Sequence, residues 1–233
     1  MNKTKTIIIL IFRAICLILF PLAYLPISFF NEYVGEITFF TVQSNILVLI
    51  TMAIISIYDI LQLSGKFITT PKWIKRLKLV STTSITLTFV VFGIILTPVL
   101  INEGQQAVVL SYSSIVMHQF VPLIAIIDWF IDDPDETIHF GNTPISLIFP
   151  LYYFVFTLIV SNLGVTYPSY KNGQTVRDDF PYFFLDYKEN SWIQITPGET
   201  IMDYKIGVIY WLIVMIIILS FTSFMLIVLL QFQ

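Results

Sequence analysis

Six uninterrupted apolar runs, at about residues 7–30, 37–60, 79–101, 108–131, 144–165 and 206–230, govern what this chain can become. Each exceeds the ~18 to 20 residues needed to cross a hydrocarbon layer about 30 Å thick. Inside lipid a backbone N–H or C=O finds no water to bond, so only helices and closed barrels are stable there. Barrel strands are segments of about ten residues with alternating polarity, and these runs do not alternate. The expected fold is therefore all-α: a polytopic membrane protein, one transmembrane domain over 1–233, built as a bundle of six transmembrane helices. A cytoplasmic-membrane location is the expectation that goes with it.

Composition excludes several functions. The chain is 57% hydrophobic and 12% charged, whereas soluble domains carry about 25% charged residues. Outside the runs the longest piece is 166–205, and a segment of that size does not usually build its own core. One cysteine, Cys16, lies inside the first run, and there are two histidines. Neither a disulfide framework nor a thiolate metal site follows from that inventory, and no metal or cofactor is expected. A net charge of −3 without a basic face argues against nucleic acid. Membrane lipid is the expected partner.

Lysines and arginines collect in short cytoplasmic loops. Lys3 and Lys5 precede the first run, while Lys66, Lys72, Lys75, Arg76 and Lys78 lie between the second and third. The connections 31–36 and 102–107 contain none. Both termini are expected inside and 166–205 outside. The first run is longer than a signal core, contains Arg13 and lacks a small-x-small site, so it reads as an uncleaved span. The acidic stretch Asp132, Asp133, Asp135 and Glu136 has no second copy and reads as a solvated turn.

Ionisable groups inside a span cost about 2.5 to 3.5 kcal/mol at the centre on insertion scales, which makes each a functional candidate. They are Arg13, His118 and, near the cytoplasmic ends, Asp59 and Asp128. A structural ion pair of Arg13 with Asp128 or Asp59 is one expectation; the alternative is that Arg13 reaches the headgroups. At 1.5 Å per residue from the outer end of each run, His118 lies roughly 15 Å deep, Thr41 roughly 6 Å, Ser44 roughly 10 Å and Asn45 roughly 12 Å. Thr41, Ser44 and Asn45 share one helical face through their i+3 and i+4 spacing. Histidine is the side chain that serves as a base near neutral pH without help, and a threonine hydroxyl needs such a base to become a nucleophile. The plainer alternatives are a histidine that specifies helix packing and a threonine bonded to its own backbone. The loop 166–205 is rich in aromatic residues, which favours a segment lying on the outer surface over the mouth of the bundle.

Three stretches stand out together: Phe39-Phe40-Thr41-Val42-Gln43-Ser44-Asn45, His118-Gln119-Phe120-Val121-Pro122 ending in Asp128-Trp129, and Phe180-Pro181-Tyr182-Phe183-Phe184-Leu185-Asp186. In that order they resemble an uncharacterised group of bacterial six-span integral membrane proteins, over most of the chain. More distantly, this pattern is similar to the androgen-induced and androgen-dependent membrane proteins, threonine hydrolases of fatty acid esters of hydroxy fatty acids. The resemblance implies that Thr41 is the nucleophile and His118 its base, with one residue fewer here between histidine and proline. The resulting expectation is an intramembrane hydrolase of lipid acyl esters, with Ser44 or Asn45 as oxyanion donor and a cavity open to the outer leaflet. Its rival is a non-enzymatic membrane protein that binds or transports a lipid or small molecule through the same polar stripe, or a subunit of a larger complex.

The orientation has a direct test. A cysteine introduced at Ser169 should react with an impermeant maleimide in intact cells, and one introduced at Gly65 should not. The reverse pattern would invert the protein and move the polar stripe to the inner leaflet.

Overall fold

The computed structural model describes residues 3–30, 37–66, 68–102, 104–131, 138–171, 174–197 and 204–231. The acidic stretch 132–136 and the connection 31–36 lie outside them. Six helices are long and apolar enough to cross a membrane, and the protein is an all-α, multi-pass bundle. We number them α1 (Lys3–Phe30), α2 (Phe40–Leu63), α3 (Lys72–Asn102), α4 (Tyr112–Ile131), α5 (Phe140–Asn162) and α6 (Val208–Gln231). Between α5 and α6 run two antiparallel hairpins, β1 (Tyr167–Lys171) with β2 (Gln174–Asp178) and β3 (Ile195–Pro197) with β4 (Tyr204–Ile206). The aromatic element 180–187 lies between these hairpins.

Large aliphatic side chains point outward along every span, among them Ile18, Leu22, Ile50, Ile57, Ile94 and Ile217. That is the outside of a protein solvated by acyl chains, whose interior must therefore be held by shape and polar contacts rather than by hydrophobic contrast. Helix α3 packs against α2, α4, α5 and α6. It can do so because Ser81, Thr82, Thr83, Ser84 and Thr88 are small, buried residues that allow backbones to approach.

Helix α3 starts earlier than the apolar run implies. Pro71 sits just before its first residue, and Lys72, Lys75, Arg76 and Lys78 form its first turns. Straight-chain basic residues are good helix formers, and Pro71 is suited to a position ahead of the first helical turn. Lys78 thus leaves the group of loop cations: it is only 5% exposed.

The reason is a buried charge cluster. Arg13, with no exposed surface, donates from Nε and Nη2 to the two oxygens of Asp128 at 3.0 and 2.8 Å, and from Nη1 to Asp59 Oδ2 at 2.6 Å. Lys78 Nζ donates to the Asp128 backbone carbonyl at 3.0 Å and lies 3.3 Å from Asp128 Oδ1. Two cations and two anions from α1, α2, α3 and α4 therefore balance. Asp59 and Asp128 are not alternatives for Arg13, since its fork engages both.

Removing one member should leave an uncompensated buried charge. Asp128→Asn should lower stability by about 3 to 5 kcal/mol, read as thermal unfolding of the detergent-solubilised protein. Combining Asp128→Asn with Arg13→Met should cost less than the sum of the two single changes. Additive losses would mean that the four groups do not act as one network.

Candidate active site

Two prolines shape the site. Pro122 has no N–H to offer a carbonyl four or five residues earlier. Helix α4 responds with one widened π turn over Val116–Phe120, in which the amide of Val121 bonds the carbonyl of Val116. The Met117 carbonyl is thereby left without a helical partner, because Val121 is engaged and Pro122 has no hydrogen. Asn45 of α2 supplies the missing donor, its Nδ2 lying 3.0 Å from the Met117 oxygen. Helix α3 repeats the device: Pro98 follows a π turn at Phe92–Leu96. Such turns concentrate where a helix must carry a functional side chain out of register.

His118 sits at the centre of the α4 turn and Phe92 opens the one in α3. Their rings stack with centroids 3.7 Å apart and planes 16° from parallel. The imidazole is also held at its edge, with Nδ1 3.0 Å from the backbone oxygen of Ser114. A carbonyl can only accept, so Nδ1 carries the hydrogen and Nε2 the lone pair. That lone pair faces the hydroxyl of Thr41, with Oγ1 to Nε2 at 3.3 Å. Thr41 and His118 are thus brought together as a hydroxyl and an oriented acceptor.

Their depths differ from those expected. Helix α4 begins at Tyr112, with Ser111 capping it by accepting from the Ser114 amide. His118 therefore lies only roughly 9 Å into the helix rather than roughly 15 Å, which brings it nearer the level of Thr41 in the first turn of α2.

Ser44 and Asn45 are fully buried beside Thr41, but their hydrogens are committed. Asn45 Nδ2 bonds the Thr41 carbonyl at 2.8 Å as well as that of Met117. The Ser44 hydroxyl lies 3.1 Å from the Thr41 carbonyl and 2.8 Å from Thr88 Oγ1 on α3. These two residues bind the start of α2 to its neighbours. Arg13, Asp59 and Asp128 lie toward the opposite ends of their helices and do not enter the site.

One participant escaped the sequence reading. Tyr182, half-buried on the loop between α5 and α6, packs against Phe39 just before α2. Its ring packs on Phe184 (centroids 5.1 Å), edge-on to Phe39 (5.9 Å) and to Tyr153 (6.4 Å). The loop is tied down around it: Phe183 and Phe184 pack on Trp211 of α6. Asp186 caps the following turn by accepting from the amides of Lys188 and Glu189, and Asp179 pairs with Lys188. Aromatic content signalled that this element covers the bundle, but nothing in the spacing connects position 182 to position 39.

No family model matches the chain, and neither the curated proteins nor the solved structures contain a match to it. The chemistry of the site therefore rests on its own geometry.

The tautomer is open to measurement. In protein labelled with ¹⁵N-histidine, with His139→Gln removing the second signal, His118 should appear neutral with hydrogen on Nδ1. A signal from the Nε2–H form would mean that Thr41 faces a donor, and the arrangement would lose its base.

Proposed function

We propose that this protein is an intramembrane hydrolase of lipid acyl esters, acting from a cytoplasmic membrane with Thr41 as nucleophile and His118 as general base. The observation that carries the reading is the chain from the Ser114 carbonyl through His118 to the Thr41 hydroxyl. A backbone acceptor fixes the tautomer, and the Nε2 that keeps the lone pair stands 3.3 Å from Thr41 Oγ1, the oxygen whose hydrogen must be removed. A contact at this distance is slightly loose for proton transfer, as is common before substrate is bound.

The steps follow from these atoms. Thr41 Oγ1 attacks the ester carbonyl as His118 Nε2 takes its hydrogen; the tetrahedral intermediate then collapses, and the imidazolium returns that hydrogen to the departing alkoxide. An acyl-threonine remains. Water, deprotonated by the same nitrogen, attacks it and releases the carboxylic acid while Thr41 regains its hydrogen. Every proton is returned, and no cofactor enters the cycle. The substrate class is supported by position, because a hydroxyl in the first turn of a membrane span meets the ester level of a lipid rather than a soluble metabolite. The resemblance drawn from the Thr41 and His118 stretches points to the same chemistry.

Reaction of the purified protein with a fluorophosphonate probe tests the proposal. Wild-type protein should be labelled and should hydrolyse a fatty acyl ester, while Thr41→Ala and His118→Ala should abolish both activities. The double variant should lose little more, because groups that act as a unit are not additive. Thr41→Ser should remain active. Hydrolysis should fall on acidification, since protonated Nε2 can no longer accept. Wild-type protein that retains lipid but is neither labelled nor hydrolytic, with retention weakened by the same substitutions, would establish the non-enzymatic binding reading instead.

A further inference from the structure

When His118 takes the Thr41 hydrogen it becomes a cation, and in a low-dielectric site that charge needs a partner. In serine hydrolases a carboxylate on the other ring nitrogen supplies one. Here Nδ1 lies 3.0 Å from the Ser114 carbonyl and 3.4 Å from the Ser114 hydroxyl, Nε2 faces the Thr41 hydroxyl, and one face of the ring lies on Phe92. All of these groups are neutral. The carboxylates buried in the spans, Asp59 and Asp128, are held by Arg13 and Lys78 toward the other ends of their helices. The Ser114 carbonyl meets the new charge at one edge, and the ring of Phe92 meets it over a whole face.

The spacing of the two rings suits a cation better than a neutral pair. Neutral aromatic rings prefer offset or edge-on contacts with centroids about 4.5 to 7 Å apart, because their faces are both negative. Two other stacked pairs, Tyr187 with Trp192 at 4.9 Å and Tyr182 with Phe184 at 5.1 Å, follow that rule. His118 and Phe92, at 3.7 Å and 16° from parallel, lie almost squarely face to face, with no room for water between them. A cation over a phenyl face is attracted by it, most strongly where water is excluded. Phe92 is 5% exposed and is placed by α3 itself, where it opens the π turn ahead of Pro98. One turn earlier the Thr88 hydroxyl lies 2.8 Å from that of Ser44 on α2, so α3 is fixed against the helix of Thr41 while its next turn covers His118.

We propose, building on the hydrolase reading, that Phe92 is a positioning residue whose ring face stabilises the imidazolium of His118, in the role that a carboxylate fills in a serine hydrolase. The ring exchanges no proton. The hydrogen passes from Thr41 Oγ1 to His118 Nε2 as Oγ1 bonds to the ester carbonyl, and the positive charge then lies over the π face of Phe92. When Nε2 returns the hydrogen to the departing alkoxide, the charge is gone and the two rings are again a neutral stack. The attraction is therefore strongest while the charge exists, which lowers the barrier rather than tightening the resting state. The stack also holds the imidazole plane, so that Nε2 stays directed at Thr41 while Nδ1 stays on Ser114.

Replacing Phe92 by 4-fluoro-, 3,5-difluoro- and 3,4,5-trifluorophenylalanine withdraws charge from the ring face in steps and keeps the shape of the ring. In ¹⁵N-histidine-labelled protein carrying His139→Gln, the pH at which His118 becomes protonated should move down with each added fluorine, by about one pH unit over the series. The kcat for acyl ester hydrolysis should fall in the same order, about three- to tenfold in total, with KM and melting temperature unchanged. A protonation midpoint that ignores fluorination, in protein whose hydrolysis is abolished by Thr41→Ala, would overturn the role of Phe92 and leave the hydrolase in place. Losses of kcat that do not follow the number of fluorines, with a lowered melting temperature and an unmoved midpoint, would make Phe92 a packing residue only. A midpoint that moves as expected in protein that neither hydrolyses the ester nor reacts with fluorophosphonate would retain the ring as the partner of the His118 charge and overturn the hydrolase reading alone.

Discussion

A bilayer interior offers a peptide group no hydrogen-bond partner, and the rest of this structure follows from how the chain meets that constraint. Six helices satisfy their own backbones, and where Pro98 and Pro122 remove an N–H from the ladder a widened turn stands just before the proline. At Pro122 the helix widens, His118 is carried on the widened turn, and the Met117 carbonyl is left to be bonded by Asn45. A local deficit on α4 thus becomes the contact that ties it to the start of α2. Thr41, one turn before Asn45, is brought to His118 by the same contact.

At the other ends of these helices the constraint appears as charge. Arg13, Lys78, Asp59 and Asp128 neutralise one another in a region where an isolated charge is unstable. The cluster joins α1, α2, α3 and α4 at one level, and the contacts of Ser44 and Asn45 join α2 to α3 and α4 at another. Two polar levels set the relative height and rotation of the helices that carry Thr41 and His118. Apolar packing between spans specifies such registers poorly, because lipid tails are as apolar as the side chains.

The third contribution comes from outside the spans. Phe180, Phe184 and Leu185 are buried with Phe40 and Tyr153, so the loop is part of the core rather than a linker. Its docking sets the Tyr182 ring edge-on to Phe39, the residue before α2, so the start of the helix that carries Thr41 is packed from outside the spans.

The number of spans, the all-helical class and the identity of the candidate groups were legible in the sequence, because each follows from local composition. A run of about 20 apolar residues can satisfy its backbone in lipid in few ways, and a charge or histidine within it is conspicuous. The shared face of Thr41, Ser44 and Asn45 was legible for the same reason, since helical periodicity is local. What the neighbours do was not. Composition counted Lys78 as a loop cation, although its ammonium bonds a carbonyl on α4. Spacing allowed Arg13 one carboxylate or the other, and only packing let it take both. Ser44 and Asn45 looked free to serve an oxyanion until the tertiary structure supplied the carbonyls and the threonine that occupy their hydrogens. Hydrogen-bond partners between helices depend on rotation and height, which no single segment specifies, so the residues of the site were visible in the sequence while its connections were decided by tertiary structure alone.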